Sequence, residues 1–61
     1  MLDDIRVRAR ELLADAADRS QYIEAVRAYA VEKHGDTSDN RMHAERTARY
    51  FWDARPVVDG G

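Results

Sequence analysis

Apolar residues recur at intervals of three and four positions along three stretches of this chain, and short polar segments separate the stretches. The three inward stripes are Leu2, Ile5, Ala9, Leu12, Leu13 and Ala16; Tyr22, Ile23, Val26, Tyr29 and Ala30; and Ala44, Thr47, Ala48, Phe51 and Ala54. The interval matches the period of an α-helix and not the strict alternation of a strand. We therefore predict an all-α fold, either a small three-helix bundle or one protomer of a helical homodimer.

Capping and breaking residues set the predicted limits of these helices. The predicted helices span residues 2–17, 20–34 and 39–54. Asp18 and Gln21 have the spacing of a capping box, and Gly35 stands where a helix end favours a positive φ. Pro56 cannot continue the third helix. We predict one domain over residues 1–55 and a flexible tail over residues 56–61.

The small size of the chain limits its core and its functions. Its 61 residues make one domain at most, and the absence of cysteine excludes a disulfide framework and a thiolate metal site. The formal charge of −2 indicates neither a DNA mimic nor a strongly basic nucleic-acid binder. The start of the chain is charged, and no stretch approaches the roughly 18 apolar residues of a membrane span. We therefore expect a cytoplasmic protein without a signal peptide.

Alanine fills many of the inward positions, so the predicted core is thin. These alanines are Ala9, Ala16, Ala30, Ala44 and Ala48. Each contributes little apolar area, and burial stabilises by only about 25 cal/mol per Å². Because a chain of this size is marginally stable by itself, we expect a homodimer or a tightly held protein partner.

Three consecutive aromatic residues, Tyr50, Phe51 and Trp52, indicate a binding surface. Successive helical residues point about 100° apart, so the three side chains cannot all face one core. Phe51 lies at the centre of the apolar face, which places Tyr50 and Trp52 on opposite margins. These margins are either covered by the other helices or used to bind a partner, because Tyr and Trp anchor interfaces. The candidate partner-binding residues are Tyr50, Trp52, Met42, Tyr22 and Tyr29.

Arginines on two helices support an alternative function in nucleic-acid binding. The candidate nucleic-acid residues are Arg41, Arg46, Arg49, Arg6 and Arg10. Such side chains could lie against phosphates. Carboxylates four positions away instead predict ion pairs within helices. The predicted pairs are Asp4–Arg8, Arg41–Glu45, Glu45–Arg49 and Arg49–Asp53. We predict a protein-interaction module of the kind that small bacterial or phage regulators use, with a DNA- or RNA-binding regulator as the alternative.

One cluster of histidines and aspartates has the chemistry of a metal or catalytic site. Its members are His34, Asp36, Asp39 and His43. Two histidines and two carboxylates could hold a divalent metal, but roles at helix ends and in the connector account for each of them. Adjacent Ser, His and Asp residues do not by themselves make a triad. We therefore expect no metal, no cofactor, no small-molecule substrate and no enzymatic activity.

Two segments, residues 5–8 and 19–29, resemble pieces of ribbon-helix-helix repressors and antitoxins. In that family a strand pairs across a dimer and reads the major groove, and the second helix builds the dimer core. The resemblance implies a strand at residues 5–8, with Arg6 and Arg8 facing the bases. The span from Leu12 to Ser20 is too short for the family's first helix, and the helical stripe conflicts with a strand. The residues therefore favour the three-helix fold.

Overall fold

Residues 3–55 form three α-helices joined by short connections in the computed structural model, which describes these residues of the chain. The helices are α1 (Asp3–Leu13), α2 (Arg19–His34) and α3 (Ser38–Ala54), and each packs against the other two. The predicted three-helix bundle is confirmed. Residues 5–8 lie inside α1, so the strand of a ribbon-helix-helix fold is not formed there. The predictions for Leu2 and for the tail over residues 56–61 lie outside the described residues.

The end of α1 was predicted wrongly, because the helix stops at Leu13 and does not continue to Ala17. No glycine or proline marks this end in the sequence. The backbone N–H of Asp15 donates to the carbonyl of Leu12 (3.2 Å), and that of Ala16 donates to the carbonyl of Leu13 (3.4 Å). These bonds span three residues instead of four, so they tighten the last turn and let the chain reverse toward α2.

Asp18 and Gly35 cap α2 as predicted, but the Gln21 side chain bonds to Ala17 instead of the Asp18 N–H that a capping box would use. The Asp18 carboxylate accepts a hydrogen bond from the Gln21 backbone N–H (2.8 Å), and the Gln21 side-chain oxygen accepts one from the backbone N–H of Ala17 (3.2 Å). At the other end Gly35 has a φ of +107°, and its N–H donates to the carbonyl of Val31 (2.9 Å). Glycine alone adopts this backbone region without strain.

The connection to α3 is held by side chains that cap both helices. The Thr37 hydroxyl accepts from the Asn40 backbone N–H (3.1 Å), so α3 begins at Ser38, beside the predicted start at residue 39. The Asn40 side-chain amide donates to the carbonyls of His34 (3.1 Å) and Gly35 (3.0 Å). Two carbonyls at the end of α2 and the connector thereby gain partners, and the same residue links the end of α2 to the first turn of α3.

The core lies where the three helices meet, and alanine makes up half of it. The buried residues are Ile5, Ala9, Tyr22, Ile23, Val26, Ala30, Ala44 and Ala48. Leu12, Leu13, Ala16, Tyr29, Phe51 and Trp52 pack around them and are half-buried. Ala54 is exposed at the end of α3, contrary to its predicted inward position. None of the helices within residues 3–55 is long and apolar enough to cross a membrane.

Candidate functional site

Tyr22 is a core residue, so its prediction as a partner contact is wrong for this fold. Only 1% of its surface is exposed, and its hydroxyl donates to the carbonyl of Ala9 at 2.7 Å. This hydrogen bond joins α2 to α1 in the middle of the bundle. Burial raises the pKa of the Tyr22 phenol, because the apolar surroundings disfavour the phenolate.

Trp52 and Tyr29 are half-buried by contacts within the chain. The ring of Trp52 lies 5.7 Å from that of Tyr22, and the Arg55 guanidinium stands 3.8 Å from the Trp52 ring centre. The Tyr29 hydroxyl donates to a carboxylate oxygen of Asp4 at 3.1 Å. Both aromatic side chains therefore make contacts that stabilise the bundle, although each keeps some exposed surface.

Tyr50 and Met42 are the predicted contact residues that the fold leaves open. Their exposed fractions are 64% for Tyr50 and 54% for Met42. The Tyr50 ring meets the edge of Phe51 with 5.4 Å between ring centres, so it rests on the bundle without being enclosed. Phe51 packs against the core, as its central position predicted. Tyr50 and Trp52 consequently lie on opposite margins of α3.

A groove runs between α1 and α3 beside Tyr50, and we call it the α1–α3 groove. It is lined by Arg6, His43, Arg46, Thr47, Tyr50 and Phe51. Arg10, one turn along α1 from Arg6, places its guanidinium 5.8 Å from the centre of the Phe51 ring. Met42 lies next to the groove and shares His43 and Arg46 with it in an adjoining hollow. The groove thus joins residues from both predicted sets, those for a protein partner and those for nucleic acid.

The α1–α3 groove is lined by positive charge, and Asp39 lies in the adjoining hollow that shares His43 and Arg46 with it. Among residues 3–55, no acidic side chain lines the groove itself. Arg6, Arg10 and Arg46 form no ion pair with any residue in the range 3–55. Guanidinium groups stay charged at every physiological pH, so the groove presents fixed positive charge beside aromatic surface.

The predicted ion pairs within α3 are not formed among the described residues, since their members pair elsewhere or stay exposed. Glu45 lies 3.9 Å from Arg27 of α2. Arg41 pairs with Asp36 in the connector. Arg49 is exposed on α3 and does not line the groove. Three of the five candidate nucleic-acid residues therefore converge on the groove, and two do not.

His43 has an unusual position at the groove. Its Nε2 atom is buried and has no hydrogen-bond partner within residues 3–55. A buried polar atom without a partner costs about 1–3 kcal/mol, so most such atoms in folded proteins are paired. The lining of the groove therefore includes a polar atom that the bundle itself does not satisfy.

The opposite side of α1 packs on α2 through a paired polar cluster. The His34 Nε2 atom lies 2.9 Å from both carboxylate oxygens of Asp4, and Tyr29 donates to the same carboxylate. Desolvation acts to raise the pKa of Asp4, but the hydrogen bonds from His34 and Tyr29 outweigh it and hold that pKa below its ordinary value. Arg8 pairs with Glu11 at 3.0 Å, so the predicted Asp4–Arg8 pair was wrong.

The histidine and aspartate cluster is divided among different parts of the fold. His34 binds Asp4, Asp36 binds Arg41, and His43 lines the α1–α3 groove. Within the described range, no three His, Asp or Glu side chains are grouped so that they could hold a metal ion. The predicted roles of these residues at helix ends also missed the Asp4–His34 contact, whose partners are far apart in the sequence.

Comparisons with family models, with curated proteins and with solved structures found no match to this chain. The fold and the groove therefore define its class by their own features. It is a small three-helix bundle in which Asp4, His34 and Tyr29 form a polar cluster on one side of α1, and Arg6, Arg46 and the exposed Tyr50 line a groove on the other. Sequence reasoning named Tyr50, Met42, Arg6, Arg10 and Arg46 but did not place them together, because nothing in the sequence says which sides of α1 and α3 meet.

Proposed function

We propose that this protein is a non-enzymatic protein-interaction module that acts in the cytoplasm as a small regulator. Its contact surface is the α1–α3 groove together with Met42. The partner is another protein or a second copy of the chain. The observation that carries the proposal is the exposure of Tyr50, at 64%, in a groove lined by Arg6 and Arg46, which form no ion pair in the range 3–55.

The residue types of this surface support a protein contact. Tyr and Arg are enriched among the residues that dominate binding energy, and Met adapts its shape to irregular partner surfaces. The thin alanine-rich core gives the isolated chain little stability in reserve, so burial of Tyr50 and Met42 in a complex would add apolar contact that the bundle lacks.

Affinity capture with matched variants tests this function. The full chain serves as bait in extract of its native host, beside Tyr50→Ala, Met42→Ala and Val7→Ala. Val7 is the control because it is 54% exposed on α1 and does not line the groove. We expect a specific partner that is retained by wild type and Val7→Ala and lost by at least about tenfold with Tyr50→Ala. Equal capture by all four proteins would contradict the proposal.

Self-association is the second form of the same proposal, and it is tested without extract. Sedimentation across a wide concentration range should show a dimer that dissociates on dilution. Tyr50→Ala should weaken it, and Val7→Ala should leave it unchanged. A monomer at every concentration would leave only a different protein as the partner.

Nucleic-acid binding is the alternative, and the convergence of Arg6, Arg10 and Arg46 is the observation that favours it. Exposed aromatic rings beside arginines can stack on unpaired bases. Three phosphate contacts would make the logarithm of the binding constant fall with the logarithm of salt at a slope of about −2 to −3. Titration of a fluorescent single-stranded oligonucleotide and of a duplex at several salt concentrations measures this slope. No binding at low salt would eliminate the alternative.

A further inference from the structure

We infer that the α1–α3 groove binds a short acidic segment of a partner protein, with one apolar or aromatic side chain between carboxylates. This inference rests on the proposed function and specifies the chemistry of the partner. The groove combines a ring surface at Phe51 with guanidinium groups from both helices, Arg6 on α1 and Arg46 on α3. A segment that places carboxylates on either side of a ring or leucine matches both features.

The charges of the groove determine the sign of the partner. Arg6, Arg10 and Arg46 have no carboxylate partner among residues 3–55, and no acidic residue lines the groove. A carboxylate can accept two parallel hydrogen bonds from one guanidinium, which makes this pairing both strong and directional. A basic segment would be repelled by the three guanidinium groups, and a neutral segment would leave them without carboxylate partners. Charge complementarity therefore requires an acidic occupant.

The dimensions of the groove determine the length of the partner segment. Along α3 the lining extends from His43 to Phe51, which corresponds to about 12 Å of helix axis. That length matches about two turns of a helix or four residues of an extended strand. One apolar side chain fits against Phe51 and Thr47 between the two arginines. The geometry thus suits a short linear segment and not a broad flat interface.

An acidic peptide explains the arginines better than a nucleic acid does. Arg41 is paired with Asp36, and Arg49 lies outside the groove, so the cationic surface is confined to three side chains. Nucleic-acid binders spread many basic residues over a longer surface to contact successive phosphates. The chain as a whole is acidic, with a net charge of −2, so it repels a long polyanion such as a nucleic acid. Two or three carboxylates are the number that these guanidinium groups can pair with.

Selection from a random library of 12-residue peptides displayed on phage tests the inference with the full chain as target. We expect the enriched peptides to carry at least two Asp or Glu residues around an aromatic residue or leucine. The strongest peptide is then synthesised, and its affinity is measured for wild type and variants by fluorescence anisotropy. Neutral or basic peptides, or no enriched peptide at all, would overturn the inference.

Two double variants that change the net charge equally distinguish binding in the groove from a general electrostatic effect. Arg6→Glu combined with Arg46→Glu reverses the groove, and Arg19→Glu combined with Arg49→Glu reverses two arginines outside its lining. We expect the groove variant to lose at least about tenfold in affinity, and the control to lose less than about threefold. Circular dichroism checks both folds. If the groove variant does not fold, Arg6→Gln combined with Arg46→Gln replaces it, and a loss of affinity is again expected. Equal affinities for the groove and control variants would overturn the inference.

Two further measurements distinguish this inference from the proposed function and from nucleic-acid binding. A partner captured in a Tyr50-dependent way but unaffected by arginine reversal would leave the proposed function standing and overturn the acidic-segment inference. Capture that is independent of Tyr50 would overturn the proposed function itself. A single-stranded thymidine oligonucleotide is titrated in parallel. Tighter groove-dependent binding of this oligonucleotide than of any selected peptide would also overturn the inference.

Discussion

The two sides of α1 differ in how completely their polar groups are paired. On the side that faces α2, Asp4 receives hydrogen bonds from His34 and Tyr29. On the side that faces α3, Arg6 has no ion pair, and the buried Nε2 atom of His43 has no hydrogen bond among the described residues. The same short helix therefore has a hydrogen-bonded polar cluster at its junction with α2, and an arginine and a histidine atom without such partners at its junction with α3.

This difference separates the junction that holds the fold from the surface that we propose binds a partner. A bundle this small has little stability in reserve, so unsatisfied groups carry a cost that is tolerated where they serve another purpose. The α1–α2 junction contributes the buried Tyr22 hydrogen bond and the Asp4 cluster. The α1–α3 junction contributes buried alanines and Phe51, but its rim is charged and open.

Two tyrosines give the largest expected contrast. Tyr22→Ala removes a fully buried ring and should cost about 3–5 kcal/mol of unfolding free energy. A domain of 61 residues has a total stability of roughly 3–9 kcal/mol, so this loss removes at least about a third of it. Tyr50→Ala removes an exposed ring and should change the unfolding free energy by less than about 0.5 kcal/mol. Urea titration followed by circular dichroism measures both values.

The comparison would fail if the two alanine variants were equally destabilised. That result would mean that Tyr50 is part of the fold and not a contact residue. The measurement is made at a protein concentration where wild type is monomeric, because a dimer would add the interface to the stability of the wild type.

Substitutions of two histidines should change the unfolding free energy in opposite directions. His43→Phe replaces the ring whose buried Nε2 atom lacks a partner, and it should raise the unfolding free energy by about 1 kcal/mol. His34→Phe removes the group that binds Asp4 and should lower the unfolding free energy, because the carboxylate loses its partner. Thermal melts at neutral pH measure both changes. Destabilisation by both substitutions would show that His43 is paired in solution and would remove the contrast between the sides.

The sequence predicts where the helices of this protein lie along the chain better than it predicts which of their faces pack together. Capping at Asp18 and the glycine at residue 35 were visible because their chemistry is local. The end of α1 was missed because Ala14 to Ala17 favour a helix, and the reversal toward α2 is imposed by packing. Intrahelical spacing wrongly assigned Asp4 to Arg8, since the real partner, His34, follows from the way α1 and α2 pack.

The candidate groove illustrates the same limit in a functional setting. Met42 falls on the polar face of the α3 wheel, which is a property of one helix, whereas Tyr50 falls on a margin that the wheel leaves either covered or exposed. Their association with Arg6 and Arg10 depends on which edge of α3 faces α1, and the stripe of apolar residues alone allows either edge. Tyr22 was misassigned for a related reason, since an aromatic ring in an inward stripe serves equally as core or as contact until its neighbours are known.

The pH dependence of stability gives the smallest expected effect and tests the paired side alone. The folded pKa of Asp4 lies below its ordinary value, so the folded chain holds this carboxylate charged where the unfolded chain already begins to protonate it. This contribution is fully present above the unfolded pKa of about 4 and is lost as the pH falls through the folded pKa. Asp4→Asn should therefore be less stable than wild type at neutral pH, and the gap between them should close on acidification.

Asp15→Asn, which removes an exposed carboxylate without an ion pair among residues 3–55, is the matched control. Urea midpoints between pH 2 and 7 for the three proteins measure the gap, and a gap that stays constant over this range would show that Asp4 contributes nothing through its charge.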